Sequence, residues 1–224
     1  MRRALSLLVA AVLVLPSFAE EKKPLRIAMF SASKEYQSVE SLPILRKSLE
    51  SSPGVACELI NGEDKGNLSG SSALDKADVA VLFTRRVKLP AEDLARWKAF
   101  CTSGKGLVGI RTASHGLDGW PEFDHVILGG DYTGHYNDKA ARLTVLAPTH
   151  FIVSGFEPFS TKGKLYKNQK PASDIVPLIR ATTDEASEPV AWVREQKGQR
   201  VFYISLGVPE DFQSPAFLLS LIHI

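Results

Sequence analysis

The chain has 224 residues, 44% of them hydrophobic and 23% charged, a balance that suits a globular domain and excludes a disordered or fibrous one. Its formal net charge is +2, but Arg2 and Arg3 belong to an N-terminal export pattern; without residues 1–19 the basic residues fall from 27 to 25, against 25 acids. A mature chain near neutrality and without a basic patch gives no footprint for nucleic acid, and the length allows one large domain.

Residues 4–15 are apolar apart from Ser6, follow the two arginines, and precede small residues at Ser17 and Ala19. This is the pattern of a secretory signal, with cleavage expected after Ala19. The apolar run falls short of the ~20 residues that span a bilayer. The mature protein is therefore expected in the periplasm or outside the cell, with no stable membrane insertion.

Residues 25–30 (LRIAMF) read as a buried strand, followed by a polar loop over 31–37. Ser38 is expected to cap a helix reaching about residue 51, with Val39, Leu42, Leu45 and Leu49 at helical spacing. Residues 55–60 read as the second strand, 61–72 as an exposed Gly/Ser/Asn/Asp loop, and 78–84 as the third strand. Pro90 opens a second helix whose Leu94, Trp97, Lys98 and Cys101 share a face, and Gly104 ends it. Residues 106–110 form the fourth strand. This alternation predicts an α/β fold with a flavodoxin-like, doubly wound, mostly parallel sheet.

Beyond Gly130 the texture changes. Residues 141–147, 176–181, 189–194 and 200–206 read as strands with few helices between them, and Lys197-Gly198 suggests a hairpin joining the last two. The expectation is antiparallel strands added to the same sheet, all in one domain over residues 20–218. Ser214-Pro215 reads as the start of a further helix. The last six residues, LSLIHI, match the translation of a common sequencing adaptor, so residues 219–224 are expected to be a non-native tail of a truncated gene fragment. The two cysteines, Cys57 and Cys101, lack metal-type spacing and read as separate buried thiols.

Chemistry-bearing side chains gather between Gly106 and Tyr136, just past the fourth strand, where open α/β sheets bind ligands. Arg111 follows the strand directly and presents a fork of donors suited to carboxylate, phosphate or carbonyl oxygens, or to a structural ion pair. His115 is a candidate acid or base. Its neighbour Ser114 does not sit in a G-x-S-x-G elbow. Beyond the pair Gly129-Gly130, Asp131, His135 and Tyr136 have the mixture of rings and polar groups that binds a sugar, as do Glu35 and Tyr36 in the loop after the first strand. Arg111, His115 and His135 are thus the candidate catalytic residues, and Glu35, Tyr36, Asp131 and Tyr136 the candidate substrate-binding ones. His125 and His150 read as structural. No close-spaced histidine pair supports a metal, and neither metal nor cofactor is expected.

The segments GLVGIRTASH (106–115), WPEF (120–123), LGGDYTGHY (128–136), PVAW (189–192) and VFYISLGVPEDF (201–212), with the opening loop SKEYQSVESL (33–42), resemble the ThuA-like, or trehalose utilisation, family. The resemblance covers about residues 25–218. It implies the class I glutamine amidotransferase-like fold and a part in the use of trehalose and related disaccharides, through keto-sugar intermediates. Two positions depart from the family pattern. The strand end that reads Gly-Ile-His in the broader family reads Gly109-Ile110-Arg111 here, and the late Leu-Gly-His reads Leu206-Gly207-Val208. His115 is expected to take over the vacated role. No Cys stands at the fourth-strand turn, which disfavours glutaminase chemistry. The leading expectation is an exported protein that processes a disaccharide or keto-glycoside, with a small-molecule sugar as its partner. The alternatives are a non-catalytic carbohydrate-binding module and a structural partner of an exported sugar oxidoreductase. A homodimer is left open.

Overall fold

The structure, a computed structural model, describes residues 23–137 and 140–223; the expected signal segment lies outside the described residues. The strands are β1 (Leu25–Ala32), β2 (Val55–Asn61), β3 (Val79–Thr84), β4 (Val87–Lys88), β5 (Gly106–Ile110), β6 (Leu117–Asp118), β7 (Ala141–Val145), β8 (Ser160–Thr161), β9 (Val176–Thr182), β10 (Ser187–Gln196) and β11 (Gln199–Ile204). Nine of them form one sheet in the order β2-β1-β3-β5-β11-β10-β9-β7-β8, and β4 and β6 pair separately. From β2 to β11 every pairing is parallel; from β11 to β8 every pairing is antiparallel. The parallel half has the doubly wound order, which reverses direction between β1 and β3.

Strand β11 joins the two halves. It was expected as the hairpin partner of β10, and it is: Gln196 faces Gln199 across a two-residue turn in which Lys197 and Gly198 both have positive φ. That is the turn twist antiparallel hairpins favour. On its other edge β11 is also the fifth parallel strand, with Tyr203 level with Gly109 on β5.

Alternation along each strand sends neighbouring side chains to opposite faces. Met29, Val81, Val108 and Phe202 face α1 (Ser38–Glu50) and α3 (Pro215–Ile222). Phe30, Leu82, Leu107 and Tyr203 face α2 (Ala91–Phe100) and the helical turn Phe123–Leu128. Both faces of the parallel half are therefore covered, which is why these strands read as continuous apolar runs.

Three helix details differ from expectation. The cap of α1 is Gln37, in a left-handed conformation, while the Ser38 hydroxyl turns inward to accept from the Ser33 amide and the Ser31 hydroxyl. The buried face of α1 then comprises Ser38, Ser41, Leu42, Leu45 and Leu49, and Val39 points to solvent. In α2 the ammonium of Lys98 lies 5.4 Å from the Trp120 ring, while Phe100 fills the core. Ser214 does cap α3, accepting from the Phe217 amide, and Leu221 at the far end of that helix is buried. Cys57 and Cys101 are free buried thiols, pushed up to about 11 and about 12 by burial. Among the described residues no helix is long and apolar enough to cross a membrane.

Candidate functional site

A cleft of about 480 Å³ opens beside the carboxyl ends of β3 and β5, a size typical of small-molecule sites. Its walls come from three pieces of chain. The first is the end of β3, with Arg86. The second is the turn Arg111–His115 after β5 and the segment up to Trp120. The third is the helical turn Phe123–Leu128 with Asp131 and Tyr132 beyond it.

Arg111 occupies the sharp turn at the end of β5. Its φ of 46° is in the left-handed region, rare for a residue with a side chain, and the strand leads straight into a helical turn. This is the strained geometry of a nucleophile elbow, with a guanidinium where a nucleophile would stand. Arg111 is 1% exposed and does not line the cleft. It donates to the Ser205 carbonyl at 2.7 Å and to the Lys164 carbonyl at 3.3 Å. Its guanidinium lies 4.1 Å from the centroid of Tyr36 and 4.8 Å from that of Tyr166. Arg111 thus clamps the ends of β5 and β11 to two loops.

His115 does line the cleft. Its ring stacks on Tyr132 with centroids 4.4 Å apart, and Nδ1 lies 3.1 Å from the Ser114 hydroxyl. Burial, helped by the positive charges of Arg86, Arg85 and Arg111, pushes the imidazole down to about 4, so it is neutral at physiological pH. The Arg86 amide donates to the His115 carbonyl, and the Thr84 hydroxyl to the Gly116 carbonyl, which fixes the turn against the end of β3.

The remaining sequence candidates separate. Asp131 lines the same cleft, with one carboxylate oxygen accepting from the Lys170 amide. Glu35 pairs with Arg85 at 2.9 Å, and with Tyr36 it borders a different hollow near Val208. Tyr136 donates to Glu188 at 2.8 Å and borders a third hollow. His135 is exposed, with Nδ1 3.0 Å from the Tyr136 carbonyl. The cause is local: residues 132–137 are extended and paired with the segment around Tyr166, so exposure alternates, and Tyr132 and Tyr136 point one way while Thr133 and His135 point the other.

Two residues that the sequence did not single out complete the cleft. Trp120 forms an aromatic wall, packed on Phe123 with centroids 5.1 Å apart. Asp124 lies on the buried side of its turn with Phe123, Ile127 and Leu128. A carboxylate on the apolar face of a helical repeat was the signal that could have found it. Among the described residues no three His, Cys, Asp or Glu side chains come together to hold a metal ion.

A doubly wound α/β core, with an Arg at its elbow and an open cleft beside it, defines the class. The chain belongs to the ThuA family, described as trehalose utilisation, whose profile matches residues 26–222. That membership places it in carbohydrate utilisation in general. No match is found among curated proteins. Among solved structures it is similar to a ThuA-like protein from Parabacteroides merdae, with TM-score 0.72, 18% identity, and coverage of 90% of this chain and 88% of the other. A ThuA-like protein from Bacteroides uniformis gives TM-score 0.71, 15% identity and 90% coverage of both chains. An exo-beta-1,4-mannosidase from Opitutaceae bacterium strain TAV5 gives TM-score 0.52 and 12% identity, over 89% of this chain and 35% of that one. At these identities the likeness is one of fold.

Proposed function

We propose that the chain is an exported carbohydrate-utilisation protein that takes a disaccharide or keto-glycoside into the cleft beside β5. The observation that carries this reading is the chemistry of the walls: rings from Trp120 and the Tyr132–His115 stack, with Asp118, Asp131 and Arg86 at the polar positions. Sugars present apolar faces that stack on such rings and hydroxyls that bond to carboxylates. In this role the neutral His115 accepts a proton or a hydroxyl hydrogen bond, and Arg111 acts indirectly by holding the turn that carries His115. His135, Glu35, Tyr36 and Tyr136 stand outside the cleft and are assigned no contact with this sugar.

Binding without turnover is the second reading. It is favoured by Arg111 at the elbow, where no nucleophile stands, and by Cys101 buried beyond the end of α2.

The three tryptophans provide the test. Trp97 and Trp192 are fully buried in the core, whereas Trp120 lines the cleft. Titration with trehalose and with a 3-keto-disaccharide is expected to change the intrinsic fluorescence saturably, and Trp120→Phe to abolish that signal. A chain that gives neither a fluorescence change nor heat of binding with either sugar contradicts the proposal. Release of monosaccharide from the keto-sugar separates enzyme from binding module.

A further inference from the structure

Building on the carbohydrate reading, we propose that Asp124 is the general acid of this cleft, donating its proton to the oxygen that leaves a glycosidic carbon. Asp124 stands in the cleft wall yet is only 8% exposed. One carboxylate oxygen, Oδ2, accepts from the Tyr132 amide at 2.8 Å; the other, Oδ1, is buried with no hydrogen-bond partner. The charged groups that act on it are Asp131 and His125, with no lysine or arginine among them, and a buried carboxylate without a paired cation is costly. A proton on the carboxyl removes that cost and arms the group as a donor.

The backbone is shaped around this carboxyl. A Cβ on Gly130 would lie 2.3 Å from Oδ1, so a side chain at that position would displace the carboxyl. The titratable groups around it are His125 on its own turn, bonded to the Gly130 carbonyl, Asp131 and Tyr132 on the following loop, and Tyr203 on β11. Burial pushes the Asp124 carboxyl up to about 7; the Tyr132 amide opposes this, Asp131 adds to it and His125 opposes it. Across the same cleft His115 moves the opposite way. Two titratable groups driven apart by their surroundings are the pattern of an acid and its complementary base.

The step balances without oxidant or reductant. The Asp124 carboxyl gives its proton to the glycosidic oxygen as the carbon–oxygen bond breaks, and that bond's electron pair goes to the oxygen. Water then adds hydroxide to the carbon and returns a proton to the Asp124 carboxylate, for a net hydrolysis.

The test compares wild type with Asp124→Asn, using a 3-keto-disaccharide as probe in calorimetry and in a monosaccharide-release assay. Asparagine can still accept from the Tyr132 amide but has no acidic proton. Binding is expected to stay within about threefold, while turnover falls about 100-fold or more. The decline of kcat/KM above about pH 7 is expected to vanish from the residual activity. Unchanged turnover with an unchanged high-pH limb overturns the acid role. Sugar bound by wild type without turnover overturns it too and leaves the carbohydrate reading standing; no sugar bound at all overturns both. Should Asp124→Asn fail to fold, ¹³C NMR titration of wild-type aspartate carboxyls decides, since the proposal requires one that titrates near 7 and is overturned if all titrate below about 5.

Discussion

His115 and Asp124 face one cleft with their proton affinities displaced in opposite directions, and the displacement has a consequence for stability. Between about pH 4 and 6.5 the folded chain holds a neutral His115 and a protonated Asp124, whereas the unfolded chain holds a protonated His and an ionised Asp. Each state carries one proton on the pair, so its contribution to the pH slope of stability cancels. Breaking the pair unmasks each half. Asp124→Asn leaves only the depressed His115, so stability is expected to fall as pH drops from about 6.5 to about 4. His115→Gln leaves only the raised Asp124, so stability is expected to fall as pH rises from about 4 to about 7. Each slope should reach at most about 1.4 kcal/mol per pH unit. Urea unfolding of the two variants at several pH values checks this, and slopes of the same sign would contradict it.

The same residues mark how far a sequence discloses a site. That His115 and Asp131 line the cleft was legible because they follow a buried strand and a glycine pair. His135 has the right chemistry, but period-two alternation on an extended segment turns its ring to solvent while Tyr132, three residues earlier, enters the cleft. Asp124 was not legible because it shares its turn's buried face with Phe123, Ile127 and Leu128, whose spacing reads as core.

At the scale of elements, the strands were legible since burial on both faces writes them as unbroken apolar runs. The face of α1 was less so. Two serines, Ser38 and Ser41, take inward positions that hydrophobicity alone would give to Val39, and Ser38 does so by bonding the chain leaving β1. The double duty of β11 was not legible, as a hairpin turn says nothing of the strand on the other edge. Its turn offers a test of the hairpin geometry. Lys197 holds φ of 50° beside Gly198 at 81°, and asparagine tolerates that region better than lysine. Lys197→Asn is therefore expected to stabilise the chain by roughly 0.5 kcal/mol, seen as a small rise in Tm. A fall in Tm would count against a turn that fixes the register of β10 on β11.

For the whole molecule, the fold is that of a doubly wound sheet lengthened by an antiparallel wing, and the elbow of that sheet is closed by Arg111 rather than opened by a nucleophile. The guanidinium bonds two carbonyls and sits between two tyrosine rings, so the place where such a sheet would present its reactive group is filled. The open space lies one step further along the chain, between His115, Trp120 and Asp131. The central claim is that a carbohydrate binds there. A crystal structure of the chain soaked with a 3-keto-disaccharide tests it most directly. The expected result is a sugar ring against Trp120 or the Tyr132–His115 stack, with hydroxyls bonded to Asp131 or Asp118; a sugar seated instead beside Tyr136 or Glu35, with this cleft empty, would contradict it.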